Sequence, residues 1–310
     1  MLLAAVVFSG CGGAGGGQSE RPPGLVRMWG APGRIDGCFV KPRVIDVLPD
    51  GRVVVIDRSG RVQLFTAEGE FSGKFQLEDV EEGYPTGMDV GPGGNLWIAE
   101  THAFRVGVYT PEGEEVLAFG SNGKGEGEFI YVSDVEVAPD GSVYACDYGN
   151  TDRVQRFDLE GNYRATIGGR GTEPGRFRRP EGLASLPDAS LLVADSVNHR
   201  IQKFSPGGEL LAAFGESGSG QGQLLYPYDL ALTQTGDVII AEYGNNRLQR
   251  MSPDGEFLGT WGSQGGGPGE LLTPWGVAVR GARLYVLDTG NSRVLELDLG
   301  KVEWERDSER

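Results

Sequence analysis

Residues 227–262 read PYDLALTQTGDVIIAEYGNNRLQRMSPDGEFLGTWG, and this stretch decides the fold of the 310-residue chain. It contains four short apolar or alternating runs, which are separated by Thr-Gly-Asp, Tyr-Gly-Asn-Asn and Pro-Asp-Gly. Runs of this length cut by such turns are typical of four antiparallel strands joined as a meander. A single sheet of this size has two apolar faces, so it needs a neighbour on each side.

The same unit recurs along the chain. The second strand of each copy ends in an acidic residue, and an arginine follows four to six residues later. The acidic residues are Asp57, Glu100, Asp147, Asp195, Glu242 and Asp288, and the arginines are Arg61, Arg105, Arg153, Arg200, Arg247 and Arg293. Six four-stranded copies at a period of roughly 45 residues predict an all-β fold, a six-bladed β-propeller. Because a catalytic group is needed once, a pair present in every copy is interpreted as structural.

The two ends of the repeated region complement each other. Leu25–Gly30 (LVRMWG) resembles the fourth strand of the other copies, whereas the last copy supplies three strands between residues 275 and 299. We therefore predict that the N-terminal strand completes the last blade and closes the ring, which removes two sheet edges. The alternative is that Val302–Trp304 fills this place. The propeller then spans residues 25–299, with a charged C-terminal tail over residues 300–310.

Residues 1–11 (MLLAAVVFSGC) form a short apolar run that ends at Cys11. The run is too short to span a bilayer and lacks the basic residues that precede the apolar region of a signal sequence. Phe8-Ser9-Gly10-Cys11 nevertheless resembles a bacterial lipoprotein box, although Phe8 departs from the usual aliphatic residue. The resemblance implies lipidation of Cys11 and a place in the cell envelope, with residues 12–24 as a flexible Gly-rich tether. The alternative is a frayed apolar tail.

The charge of the chain restricts its partners. It has 28 Lys plus Arg against 44 Asp plus Glu, a net charge of −16 and a sequence pI near 4.6. Such a surface repels polyanions, so we expect no nucleic-acid partner, a monomer, and contact with membranes only through the lipid anchor. A local cluster of arginines around the loop before the fourth blade could dock an acidic partner or pair with nearby carboxylates: Arg164, Arg170, Arg176, Arg178 and Arg179.

The individual units resemble NHL repeats. Residues 195–202 (DSVNHRIQ) are close to the family pattern, as are Glu242–Gln249 and Asp288–Val294, and the match covers about residues 25–299. The resemblance implies a six-bladed propeller. It does not imply one function, because NHL propellers serve as protein- or RNA-binding platforms and occasionally as enzymes.

Function is expected where the copies differ. Two sets of variable positions should surround one mouth of the channel. One set lies next to the repeated Gly or Asp of the first strands, and the other lies in the turns between second and third strands. They are Arg43, Thr86, Ser133, Glu181, Tyr228 and Trp275 from the strands, and Arg58, His102, Tyr148, His199 and Tyr243 from the turns. Aromatic rings and mixed charges in one concavity predict a binding site for a protein, a peptide or a small polar ligand. The alternative is a rim of solvated loop residues.

Acidic residues on the first strands suggest a cation in the channel. Asp134 and Asp229 replace a Gly found in three other copies, and Asp46, Asp89 and Glu136 share the same strand face near the axis. Several oxygen ligands around a narrow channel could hold Ca²⁺, the one cofactor that the sequence suggests. The alternative is that these carboxylates cap strand-edge amides or pair with arginines.

The sequence favours a binding role over an enzyme. Peptide-amidating lyases resemble this propeller, but their chemistry depends on a zinc held by several histidines, and this chain has only His102 and His199. Two imidazoles in different blades could still act as acid and base. The alternative function is therefore a metal-dependent lyase or hydrolase whose site lies on the same face.

Overall fold

A computed structural model describes residues 21–78 and 83–306 of the chain. Cys11 and the apolar run before it lie outside the described residues, so lipidation and an envelope location stay predictions. The described chain forms six four-stranded antiparallel sheets, which are the blades of the predicted propeller. No helix within it is long and apolar enough to cross a membrane.

Each blade runs from an inner first strand to an outer fourth strand. Blades 1 to 3 contain β2 to β5 (Pro42–Val47, Val53–Asp57, Arg61–Phe65, Phe71–Gln76), β6 to β9 (Gly87–Val90, Leu96–Glu100, Arg105–Tyr109, Glu115–Phe119) and β10 to β13 (Tyr131–Val137, Val143–Tyr148, Arg153–Phe157, Tyr163–Gly168). Blades 4 and 5 contain β14 to β17 (Pro180–Ser185, Leu191–Asp195, Arg200–Phe204, Leu210–Phe214) and β18 to β21 (Pro227–Leu232, Val238–Glu242, Arg247–Met251, Phe257–Trp261).

Blade 6 combines both ends of the propeller. It contains β24 to β26 (Gly276–Arg280, Arg283–Asp288, Arg293–Asp298) and the N-terminal strand β1 (Leu25–Trp29), while β22 (Ser263–Gln264) and β23 (Glu270–Leu271) form a short parallel pair in the loop before it. β1 pairs antiparallel with β26, in the register Leu25 to Leu297 and Trp29 to Val294. The predicted closure of the ring by the N-terminal strand is confirmed.

The C-terminal tail takes a different place from the alternative considered for it. Glu305 exchanges two backbone hydrogen bonds of 2.9 Å with Thr260 on β21, the outer strand of blade 5. Trp304 lies against Gly259 of the same strand. The tail therefore covers an edge of blade 5 and leaves the fourth position of blade 6 to β1.

The core lies between neighbouring blades. Apolar side chains of the second and third strands pack into six clusters, such as the one that joins Val54, Ile56 and Leu64 of blade 1 to Leu96 and Ile98 of blade 2. Five of these residues are at most 3% exposed. This arrangement explains why a single four-stranded unit needs a neighbour on each side.

The repeated acidic residue and arginine form a clamp at the loop before each first strand. In blade 4, Asp195 accepts a hydrogen bond of 2.7 Å from Arg200 Nε, and the same guanidinium donates to the carbonyls of Thr172, Glu173 and Arg176 in that loop. The clamp recurs with Arg61, Arg153, Arg247 and Arg293. The structural interpretation of the repeated pair is confirmed.

Blade 2 departs from the clamp. Arg105 pairs with Glu100 at 2.5 Å and with Glu115 at 2.9 Å, both in its own blade. The loop before β6 differs in sequence from the Gly-rich loops that precede the other blades, and the structure describes only part of it.

Candidate functional site

The candidate site is the mouth of the channel, on the face that carries the turns between second and third strands. Two of the predicted mouth residues have small side chains that connect neighbouring blades. Thr86 Oγ1 donates to the Ser133 carbonyl at 2.8 Å, and Ser133 Oγ donates to the Pro180 carbonyl at 2.7 Å. In blades 2 and 3 this position therefore serves the contact between blades.

The same position is aromatic in blades 5 and 6. The ring of Tyr228 stacks on that of Tyr243 with centroids 4.6 Å apart, and Trp275 lies edge-on to Tyr228 at 4.5 Å and to Tyr243 at 5.8 Å. None of the three belongs to the apolar clusters between blades in the described part of the chain. The three rings form one wall of the mouth.

Three arginines lie over the aromatic faces of the mouth. The guanidinium carbon of Arg43 is 4.3 Å from the centroid of the Trp275 ring, and that of Arg58 is 4.4 Å from the centroid of Tyr84. The third arginine, Arg179, lies 5.2 Å from the Tyr148 ring and 5.9 Å from the Tyr228 ring. Contacts of this kind are attractive because the ring face carries partial negative charge.

The mouth has a local surplus of positive charge. Glu181 is 4% exposed and forms an ion pair with Arg179, whereas neither Arg43 nor Arg58 forms an ion pair within residues 21–78 and 83–306. Burial lowers the pKa of Arg43, and the neighbouring Arg58 guanidinium lowers it further. Burial raises the pKa values of Tyr148 and Tyr228 to about 12, and the nearby Glu181 carboxylate is the second cause of this rise. Both phenols therefore stay neutral.

We name this group the mouth cluster. Its members are Arg43, Arg58, Tyr148, Arg179, Glu181, Tyr228, Tyr243 and Trp275. The sequence prediction for the mouth omitted Arg179 from the site and placed it in an arginine patch. The sequence does indicate that Arg179 lies at the mouth, because Arg179 directly precedes Pro180 at the start of a first strand. Lys41, Tyr226 and Thr273 hold the same place, and all four adopt a positive φ of 47° to 55°.

The two histidines lie beside the mouth cluster and contact other residues. The His102 ring centroid is 5.2 Å from that of Tyr131, and the His199 ring centroid is 4.6 Å from that of Tyr226. His199 Nδ1 accepts a hydrogen bond of 3.1 Å from the Tyr226 amide, and burial lowers its pKa. The acceptor role at Nδ1 leaves Nε2 as the ring nitrogen that could exchange a proton with a ligand.

The acidic residues of the first strands connect blades 1, 2, 3 and 5 to the blade that follows each of them. Asp46 accepts a hydrogen bond of 2.9 Å from the backbone amide of Val90 in the next blade. Four more hydrogen bonds of 2.7 to 2.9 Å run from a backbone amide to a carboxylate of the preceding blade: from Val137 to Asp89, Leu183 to Asp134, Ser185 to Glu136 and Val277 to Asp229. The interpretation that these carboxylates cap strand-edge amides is confirmed.

These carboxylates also line a channel cavity of about 250 Å³. Asp46, Asp89 and Glu136 face it from blades 1 to 3, whereas the matching positions in blades 4 to 6 are Ala184, Ala231 and Ala278. Burial raises the pKa of Asp46 to about 8, that of Asp89 to about 6 and that of Asp229 to about 7. Burial also raises the pKa values of Asp134 and Glu136 well above their usual range.

The cavity therefore contains oxygen donors, but these donors are not grouped as metal ligands. In the described ranges, no group of three or more His, Cys, Asp or Glu side chains is arranged to hold a metal ion. Each of the five carboxylates already accepts at least one amide hydrogen bond. Calcium binding in the channel stays a prediction.

Comparison with known proteins agrees with the fold. The NHL repeat profile matches residues 177–204, which span the first three strands of blade 4. A Caenorhabditis elegans protein named "Probable peptidyl-alpha-hydroxyglycine alpha-amidating lyase" is 27% identical over 123 residues, which are 37% of this chain. The match spans only 35% of that protein's length.

Solved structures resemble nearly the whole propeller at low sequence identity. Virginiamycin B lyase from Staphylococcus aureus superposes with a TM-score of 0.59 at 16% identity, covering 91% of this chain and 96% of that one. A protein of unknown function from Bacteroides thetaiotaomicron gives 0.67 at 14% identity, covering 90% and 76%. At this identity the likeness concerns the fold alone. The chain has the fold of a six-bladed β-propeller, and its fourth blade matches the NHL repeat profile.

Proposed function

We propose that this propeller is a binding module and that the mouth cluster is its recognition surface. The observation that carries the proposal is the packing of Tyr228, Tyr243 and Trp275 at the channel mouth, apart from the apolar clusters between blades. Tyrosine, tryptophan and arginine are the residues that most often dominate binding energy at protein surfaces. A surface formed by them suits a small ligand or the side chain of a peptide.

The fold itself does not account for these large side chains. At the same position, Thr86 and Ser133 complete hydrogen bonds between blades with small hydroxyl groups. Blades 1, 5 and 6 carry Arg43, Tyr228 and Trp275 there instead. A position that the fold can fill with threonine or serine is free to be used for recognition in the other blades.

Fluorine NMR of the full chain labelled with 5-fluorotryptophan tests the proposal. The chain has five tryptophans, of which Trp275 is the one in the mouth cluster, and Trp275→Phe assigns its resonance. We expect indole probes of different charge to move the Trp275 resonance at concentrations of about 1 mM, which corresponds to about −4 kcal/mol of binding free energy.

The other tryptophans provide the internal control. Trp97 and Trp261 lie in apolar clusters between blades, Trp29 packs on Phe65 and Trp304 lies against Gly259, so all four are outside the mouth cluster and their resonances should stay in place. A Trp275 resonance that no probe moves, or five resonances that move together, would contradict a binding role for the mouth.

A lyase activity is the second candidate, since the C. elegans relative and the S. aureus structural neighbour both carry lyase names. In this case His102 and His199 would supply the acid and the base beside the mouth. Incubation of the full chain with virginiamycin B or a peptidyl-α-hydroxyglycine, with and without added zinc or calcium, tests this by mass spectrometry. For a binding module we expect no product. Turnover that His102→Ala or His199→Ala abolishes would replace the binding proposal.

A further inference from the structure

The geometry of the mouth cluster points to a ligand with one carboxylate next to a flat aromatic group, whose carboxylate is bound between Arg43 and Arg58. The inference rests on the proposed binding function and names the chemical class of the ligand. It is carried by two guanidiniums that are positioned by aromatic rings and have no carboxylate partner among the described residues.

Arg43 is positioned to present hydrogen-bond donors. Its guanidinium carbon lies 4.3 Å from the centroid of the Trp275 ring. A contact with a ring face does not satisfy the N–H donors of a guanidinium, which match the two oxygens of a carboxylate. Arg43 makes no ion pair and no side-chain hydrogen bond with residues 21–78 or 83–306.

Arg58 has a donor that needs an acceptor. Its guanidinium lies 4.4 Å from the Tyr84 centroid, and its Nε is buried with no hydrogen-bond partner in the described chain. A buried donor without a partner destabilises the protein, and hydrogen bonding to a bound anion would remove this cost. The six repeated arginines differ in this respect, because each is paired with the carboxylate of its own blade.

The surroundings select a single negative charge. Glu181 pairs with Arg179 and also attracts the Arg43 guanidinium, so among these groups the three positive charges of Arg43, Arg58 and Arg179 face one negative charge. A dianion such as a phosphate monoester would bring a second negative charge close to the Glu181 carboxylate and is repelled by it more strongly than a carboxylate is.

The stacked rings select the other part of the ligand. Tyr228 and Tyr243 are nearly parallel, with 25° between their planes, and Trp275 stands edge-on to both. A flat aromatic group can extend this arrangement by stacking or edge contact, which is favourable beyond the burial of apolar surface. A free aromatic acid and the C-terminal residue of a peptide share this chemistry.

The test compares probes that share an indole ring and differ in charge. N-acetyltryptophan is the carboxylate, N-acetyltryptophanamide is neutral and tryptamine is cationic, and phenyl phosphate supplies the dianion. A short peptide that ends in tryptophan, with its amidated form, separates a peptide C-terminus from a free acid. Binding is followed by the Trp275 fluorine resonance of the full chain. We expect the carboxylates to bind at least about tenfold tighter than their neutral amides.

Matched variants locate the carboxylate. Arg43→Gln and Arg58→Gln should each remove most of the preference for the carboxylate, whereas Arg43→Lys should keep part of it. Arg52→Gln is the control, because Arg52 pairs with Asp50 in the turn between β2 and β3, on the opposite face. Thermal melts establish that each variant is folded, and the substitutions at two sites, Arg43 and Arg58, keep the test decisive if one variant is unstable.

The outcomes separate this inference from the proposed function. If the amides or tryptamine bind as tightly as the carboxylates, or if phenyl phosphate binds more tightly, the inference is wrong and the mouth is still a binding site. The inference is also wrong if the preference survives in both glutamine variants. If none of the probes moves the Trp275 resonance, the binding function itself fails.

Discussion

Asp195→Ala is expected to lower the free energy of unfolding by about 3–5 kcal/mol. Asp195 is fully buried and accepts hydrogen bonds from Arg200 Nε, Asn198 Nδ2, Gln202 Nε2 and the Arg178 amide, at 2.7 to 3.0 Å. Alanine removes the acceptor of all four donors and leaves the Arg200 guanidinium without its counter-charge. Breaking one side of a buried pair is costly for this reason.

Equilibrium unfolding in urea, followed by circular dichroism, measures this loss. Asp195→Asn keeps the size of the side chain and one acceptor, so its effect should fall between wild type and alanine. Asp188→Ala is the matched control, because Asp188 is exposed in the turn of the same blade and bonds only to Ser190; we expect a change within about 0.5 kcal/mol. If the two alanine variants lose similar stability, the clamp does not stabilise the fold as described.

The free energy of unfolding is expected to fall as the pH rises from about 4 to about 8. In the folded protein, burial raises the pKa of Asp46 to about 8, that of Asp89 to about 6 and that of Asp229 to about 7, whereas an unfolded aspartate titrates near 4. The folded state therefore binds more protons over this range, and stability decreases with rising pH. The pKa values of Asp134 and Glu136 are also raised in the folded protein, so these two residues add to the decrease in stability with rising pH.

The size of this effect exceeds the opposing contributions. Each unit of raised pKa corresponds to about 1.4 kcal/mol, so a few coupled carboxylates amount to several kcal/mol across the range. The clamp carboxylates Asp147, Asp195, Glu242 and Asp288 have pKa values raised by burial and act in the same direction. His199 acts in the opposite direction, because its pKa is lowered in the folded state.

Urea unfolding at about pH 5 and about pH 8 tests the expected slope. Asp46→Asn should flatten it, because the amide keeps an acceptor for the neighbouring amides and does not ionise. Exposed Asp50, whose pKa is lowered in the folded state by hydrogen bonds from Arg52, provides the control variant Asp50→Asn, which should leave the slope over this range unchanged. Stability that rises between these pH values would show that the channel carboxylates are ionised in the folded protein.

The fold could be predicted from the sequence because the same unit occurs six times, so that the strands and turns assigned in one blade could be checked against the other five. The spacing of Asp195 and Arg200 recurs in all copies, and the turn sequences delimit the strands between them. The displaced N-terminal strand was recognisable because LVRMWG matches the end of a blade, and it pairs with β26 as expected.

The details of the site depend on contacts that no repeat encodes. Arg43 of the first blade lies over Trp275 of the last, and this pair follows from the closure of the ring and the directions of two side chains. Similarly, the sequence placed His199 at the mouth, but its ring contacts Tyr226, which belongs to the loop before the next blade. Variable residues could be assigned to a face of the ring, but their partners depend on packing between blades.

The pairing of β1 with β26 also determines when the propeller can be completed during synthesis. β1 is the first strand to leave the ribosome and β26 is the last, so the contact with the largest separation along the chain is also the one that closes the ring. Until β25 and β26 have been synthesised, Trp29 lacks its Tyr285 neighbour, and the first and last blades each present an open edge. Ring closure therefore has to wait for the whole propeller, and the intermediate blades are made while both of these edges are still unpaired.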